Sequence, residues 1–135
     1  MHISLDTNVW IFGIVAGDPW CKTILFNLAQ FRVTLADQVR VELERNLSPL
    51  HMRQFYHFVL RDHVVIDAES VPIDAVHSFE HKGLKKGDAV IGAFCEWRNL
   101  DILVSDNRHF LRELSPDHEF VVMSPQHFCE TFELS

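Results

Sequence analysis

Ile3-Ser4-Leu5-Asp6-Thr7-Asn8 is a short strand that runs into three side chains able to cap a helix, and Val9-Trp10-Ile11-Phe12 follows as that helix. The chain reverses direction at an acid. The same grammar returns at Ile102-Leu103-Val104-Ser105-Asp106, where another apolar strand ends on a carboxylate and the chain turns into Arg108–Leu114 as a short helix. Between these two junctions, strands and helices alternate. Phe31–Ala36 reads as a strand, with Asp37 as N-cap of a helix that carries Val39, Glu42, Leu43 and Asn46 at i, i+3, i+4 and i+7. Ser48-Pro49 opens a packing helix whose apolar face is Leu50, Met52, Phe55, Tyr56, Val59 and Leu60. His63–Ile66 is the third strand, and a short helix follows Pro72. Gly83 and Gly87 bracket a basic loop, Leu84-Lys85-Lys86, ahead of Asp88 and a helix over Ala89–Trp97. Phe120–Met123 is the fifth strand, and Ser124-Pro125 opens a last helix to about Phe132.

Alternation of this kind implies an α/β fold, a three-layer sandwich with a five-stranded, mostly parallel sheet covered by helices on both faces. Sheets of that type place ligand sites beyond the carboxyl ends of their strands, at the point where strand order reverses. Asp6 and Asp106 both follow strands at that edge. With 135 residues, 47% of them hydrophobic, and no repeat or Ser- or Gly-rich linker, residues 1–135 read as one domain.

The formal charge of -7 argues against a protein that grips polyanions by a broad basic surface. No basic region precedes an apolar stretch at the N-terminus and no run approaches a membrane span, so the expected location is the cytoplasm, without membrane contact. Cys21, Cys95 and Cys129 are odd in number and form no C-x-x-C pair, which fits reduced, buried thiols.

Taken singly, each acid has an ordinary explanation: Asp6 and Asp88 as helix caps, Glu42 as a helix-surface acid near Arg45, Asp106 as a turn residue. Together they are self-repelling, and a hard divalent cation with oxygen ligands is the usual way to keep such a group ionised. The implied reaction class is metal-assisted phosphoester hydrolysis with Mg²⁺ or Mn²⁺. The segments Lys82–Lys86 and Arg108–Arg112 border the acids and could hold phosphates; Trp10 and Trp20 could stack on a base or pack in the core.

Ile3-Ser4-Leu5-Asp6-Thr7-Asn8, Val41-Glu42-Leu43-Glu44-Arg45-Asn46, Lys86-Gly87-Asp88-Ala89-Val90-Ile91-Gly92-Ala93 and Leu103-Val104-Ser105-Asp106-Asn107-Arg108-His109-Phe110 resemble, in order, the motifs of PIN-domain ribonucleases. The resemblance implies divalent-metal-dependent RNA cleavage that leaves 5′-phosphate and 3′-hydroxyl ends. It also implies a frequent role as the toxin of a VapC-like toxin-antitoxin pair, with a small antitoxin and a homodimer as partners. Carried over by residue, Asp6 and Asp88 are the metal ligands, Glu42 completes the acidic core, and Asn8 and Ser105 orient the carboxylates. In the family's commonest pattern a Ser or Thr is followed two places later by the acid. Here Asn107 stands at that place and Asp106 lies between, so one of the two faces the metal.

Two other readings compete. One is a degenerate PIN-like module that binds RNA or protein without catalysis. The other is a doubly wound phosphatase or phosphoacceptor with Asp6 as nucleophile, although Asp6-Thr7-Asn8 lacks the second acid of a D-x-D motif.

Overall fold

The computed structural model describes residues 1–135. Five strands form one sheet: β1 (His2–Leu5), β2 (Arg32–Ala36), β3 (Val65–Asp67), β4 (Ile102–Val104) and β5 (Val121–Met123). Their order across the sheet is β3-β2-β1-β4-β5, and all four pairings are parallel. Every connection therefore crosses over through helical structure, as parallel pairing requires.

The inner strands follow from composition. Ile3, Ser4 and Leu5, and likewise Ile102, Leu103 and Val104, are all buried. A strand that alternated in polarity would face water on one side, whereas these continuous runs need helices over both faces. The edge strands differ, with Val65 and Val121 about half exposed.

There are seven α-helices, six in the crossovers that lead up to β4 and one after β5: α1 (Thr7–Ile11), α2 (Pro19–Leu25), α3 (Asp37–Asn46), α4 (Pro49–Arg61), α5 (Ile73–His81), α6 (Lys86–Trp97) and α7 (Pro125–Thr131). The Ser-Pro openings behave as their chemistry dictates: Ser48 accepts from the His51 amide and caps α4, and Ser124 accepts from the His127 amide and caps α7. One continuous core of 32 buried apolar residues fills the space between sheet and helices, with Trp10 packed edge-on against Phe55 at 4.9 Å. The thiols of Cys21, Cys95 and Cys129 are free and buried. No helix is long and apolar enough to cross a membrane.

Four details depart from the sequence reading. Helix α2 was not anticipated, although Asp18-Pro19 is a cap followed by Pro at the first helical position, and the Asp18 carboxylate does accept from the Cys21 amide at 2.9 Å. Asp37 does not cap α3; Ala36 holds that position and Asp37 instead pairs with Arg40, at 2.6 Å to its Nε. Helix α6 begins at Lys86, so Asp88 lies in its first turn and does not cap it. The segment His109–Glu113 is a single wide π-type turn instead of a regular helix.

Candidate active site

The sheet diverges between β1 and β4: from this central pair the chain leaves to β2 and β3 on one side and β5 on the other. Just beyond both strands, the Asp6 amide donates to the Val104 carbonyl and the Ser105 amide donates to the Met123 carbonyl, each at 2.9 Å. The ladder thus runs one residue past the strands and fixes Asp6 and Ser105 side by side at the carboxyl edge.

Asp6 is 3% exposed, which makes it the most deeply buried acid of the group. Its Oδ1 accepts from the Thr7 amide and its Oδ2 from the Ser105 hydroxyl, both at 2.8 Å. Burial pushes its pKa up to about 6; the bonds from Ser105 and Thr7 offset part of that, and the charges of Asp88 and Glu42 add to it. Asp6 therefore lies in the field of both other acids.

Glu42 projects from α3 and is clamped at both oxygens. Thr7 Oγ1 donates to Oε1 at 2.6 Å, and Gln38 Nε2, one helical turn earlier, donates to Oε2 at 2.8 Å. The first turn of α6 presses on this clamp: a Cβ on Gly87 would overlap Glu42 Oε2 and come within 2.8 Å of Gln38 Nε2. Glycine at 87 lets α6 bring the next residue, Asp88, toward Glu42.

Asp88 is half-buried. Burial raises its pKa, the amide of Asn107 lowers it, Glu42's charge raises it further, and His109 pulls it back. Asn107 Nδ2 donates to Asp88 Oδ2 at 3.1 Å. The rest of the Asn107 side chain is fixed from behind, its Oδ1 accepting from the His109 amide at 2.9 Å, while its own amide donates to Ser105 Oγ at 3.0 Å. Ser105 thus ties Asp6 to Asn107, and Asn107 ties to Asp88.

The sequence-based candidates divide accordingly. Asp6, Glu42, Asp88, Ser105 and Asn107 come together. Asp106 does not: it is exposed and lines a separate small cavity with Trp20 and Ser124. Of the two neighbours left open by the sequence, it is Asn107 that faces the acids. Asn8 makes none of the bonds that hold the carboxylates; Thr7, one residue earlier, makes two of them. Thr7 and Gln38 were missed, and only Gln38 carried a signal, its i, i+4 spacing to Glu42 on α3. His109, within the basic segment Arg108–Arg112 that the sequence placed beside the acids, acts on Asp88. Its ring bonds Glu113, and Arg108 and Lys85 also act on Glu113, so the two basic sequence pieces meet on this side of the site.

Asp6, Glu42 and Asp88 enter none of the ion pairs of the molecule. Carboxylates placed together without a cationic side chain, beside the Ser105 hydroxyl, offer oxygen donors suited in kind to a hard divalent cation. In this arrangement no three of the acids stand close enough to grip one ion together.

A wholly parallel five-stranded α/β sandwich, with acids gathered at its switch point, defines a carboxylate-site domain. The PIN domain model matches residues 3–114, and the chain belongs to the PIN domain family. Among solved structures, the fold is similar to VapBC2 from Rickettsia felis bound to a DNA fragment from their promoter, with a TM-score of 0.69 and 20% identity over 92% of this chain and 98% of that one. It is also similar to a toxin-antitoxin complex from Klebsiella pneumoniae, with a TM-score of 0.64 and 20% identity over 91% and 97% of the two chains. A third similarity is to FitAcB from Neisseria gonorrhoeae, with a TM-score of 0.57 and 16% identity over 93% and 99%. No curated protein matches the sequence.

Proposed function

We propose that the chain is a divalent-metal-dependent endoribonuclease and the toxin of a toxin-antitoxin pair, acting as a single domain in the cytoplasm. The observation that carries this reading is the group Asp6, Glu42, Asp88 and Asn107 at the β1/β4 switch point, with no cationic side chain among the acids. Asp6 and Asp88 hold the Mg²⁺ or Mn²⁺, and Glu42 completes the acidic set; when bound, the ion supplies an activated water and a counter-charge for the leaving oxygen. Ser105 and Thr7 keep Asp6 aimed, Thr7 and Gln38 keep Glu42 aimed, and Asn107, standing in place of a fourth acid, holds Asp88 through its amide nitrogen.

The test is cleavage of single-stranded or loop RNA by purified protein in Mg²⁺ or Mn²⁺, with 5′-phosphate and 3′-hydroxyl product ends. Asp6→Asn and Asp88→Asn each abolish it, since each removes an anionic ligand while preserving shape. Cleavage that persists in both variants or in excess EDTA refutes the assignment. A second reading, an RNA- or protein-binding module without catalysis, is favoured by the separation of the acids and by Asn107 at the fourth place. RNA binding without cleavage at any divalent concentration would select it.

The partner is a small antitoxin that inserts a basic side chain among the carboxylates and competes with the metal. The similar structures that are toxin-antitoxin complexes support it. Copies pair through apolar helix surfaces, where Phe26 and Leu60 are among the exposed large side chains. Expression of the chain alone slows growth, expression of Asp6→Asn does not, and sedimentation gives the dimer mass. Unaffected growth points instead to a housekeeping nuclease.

A further inference from the structure

Asp106 and Trp20 are left over from the site just described, and they line one cavity. A cavity of about 150 Å³ opens at the carboxyl edge beside β5, lined by Trp20 and Asp106 together with Asp18, Ser124 and Gln126. A space of that order holds a single aromatic ring system. It is contiguous with the acids through one stretch of backbone: Ser105, on one side of Asp106, bonds Asp6, and Asn107, on the other side, bonds Asp88.

Three properties narrow the occupant. Trp20 is 40% exposed, whereas Trp10 is fully buried and Trp97 is covered by the Arg98 guanidinium at 3.8 Å. An exposed indole in a cavity wall is a stacking surface for any base. Asp18 is committed to the amino end of α2 through the Cys21 amide, but Asp106 is exposed and enters no ion pair. Two acids repel phosphate, so the cavity suits the uncharged part of a nucleotide while the phosphate lies at the metal-binding acids.

Resting on the ribonuclease reading above, we propose that Trp20 and Asp106 form a base-binding subsite beside the scissile phosphate, with guanine as the preferred base. A carboxylate presents two parallel acceptors. The Watson–Crick edge of guanine presents two adjacent donors, N1–H and the N2 amino group, which such an acid takes together. Adenine and cytosine offer one donor beside an acceptor, and uracil offers one N–H between two carbonyls that face the carboxylate unfavourably. Trp20 supplies the stacking and Asp106 the choice among bases.

The tryptophan emission of the full-length protein in EDTA is titrated with the 5′-monophosphates of guanosine, adenosine, cytidine and uridine, and the same variants are used to map cleavage of an RNA with randomised positions. Guanosine monophosphate quenches the wild-type emission and binds at least threefold tighter than the uridine compound. Asp106→Asn, which keeps shape, abolishes that preference, and Trp20→Ala loses the quench. In the cleavage map, guanine next to the cut bond is enriched for the wild type and not for either variant, while total cleavage by both variants persists. Equal quenching by all four nucleotides, or an unchanged cleavage pattern in Asp106→Asn, overturns the subsite and leaves the nuclease standing. Guanosine binding that depends on Asp106 in a protein that cuts no RNA keeps the subsite and removes the nuclease. Quenching by an arginine-containing peptide but by none of the nucleotides overturns the proposal in favour of a protein partner's cation.

Discussion

Asp6 gives the metal-free protein one component of its pH dependence. Its pKa in the fold is about 6, against an ordinary 3.8, because burial in the company of two other acids disfavours its charge. For an acid with a raised pKa, the folded state binds the proton more tightly than the unfolded chain. The stabilising contribution is therefore complete below pH 4 and is lost as pH rises through 6. By linkage this loss is on the order of 3 kcal/mol for Asp6. Asp6→Asn, which removes the charge and keeps the shape, should raise the melting temperature at pH 7.5 and leave it nearly unchanged at pH 4. Added Mn²⁺ should raise the wild-type value and not that of the variant. Thermal melts across this range decide it, and parallel pH curves for the two proteins would show that Asp6 is not held at a cost.

At the scale of elements, the site depends on how closely α6 approaches α3. Gly87→Ala places a methyl group against Glu42 Oε2 and Gln38 Nε2, and either α6 retreats or the clamp on Glu42 opens. Overpacking of this kind costs about 1–3 kcal/mol. RNA cleavage should fall by more than the stability loss explains, at least about tenfold, since small displacements of aligned groups are expensive. Activity measured well below the melting temperature separates the two effects, and full activity at reduced stability would place the strain elsewhere.

The same closeness explains what could be read beforehand and what could not. Strand-end and helix positions put Asp6, Glu42 and Asp88 on the correct elements because apolar runs and cap residues are local signals. The choice between Asp106 and Asn107 is not local: it depends on the Ser105 hydroxyl, which bonds Asp6 and receives the Asn107 amide. Thr7 looked like one of three capping side chains, yet its hydroxyl reaches Glu42, 35 residues along the chain. Asp37 looked like a cap because it follows a strand, but an arginine one turn ahead offered it a charged partner. Helix α2 was lost for a different reason. Its seven residues are too few for a clear period, although its Asp-Pro opening was in plain view.

For the whole molecule, charge governs encounter with nucleic acid. With a formal charge of -7, little of the binding free energy can come from release of counterions by a basic face. RNA affinity in EDTA should be weak and should change only slightly between low and moderate salt, whereas Mn²⁺ at fixed ionic strength should raise it in wild type and not in Asp88→Asn. Filter binding or fluorescence anisotropy measures both. A steep salt dependence without divalent ions would mean that the Lys85 and Arg108 side of the molecule dominates.

The central position of β1 also sets the order in which the molecule is completed. β1 is made first, yet one of its two neighbours in the sheet, β4, is among the last strands to be made. The bond from Ser105 to Asp6 spans 99 residues, and the sheet has no hairpin to serve as a local nucleus. Topologies built from such distant pairings fold slowly, because the loop must close before any contact rewards it. A chain caught with only β1, β2 and β3 paired would already join Thr7 to Glu42 but would have neither Ser105 nor Asn107 in place. The half that finishes the site is the half that arrives late, so the growing polypeptide passes most of its synthesis and folding time without a complete site.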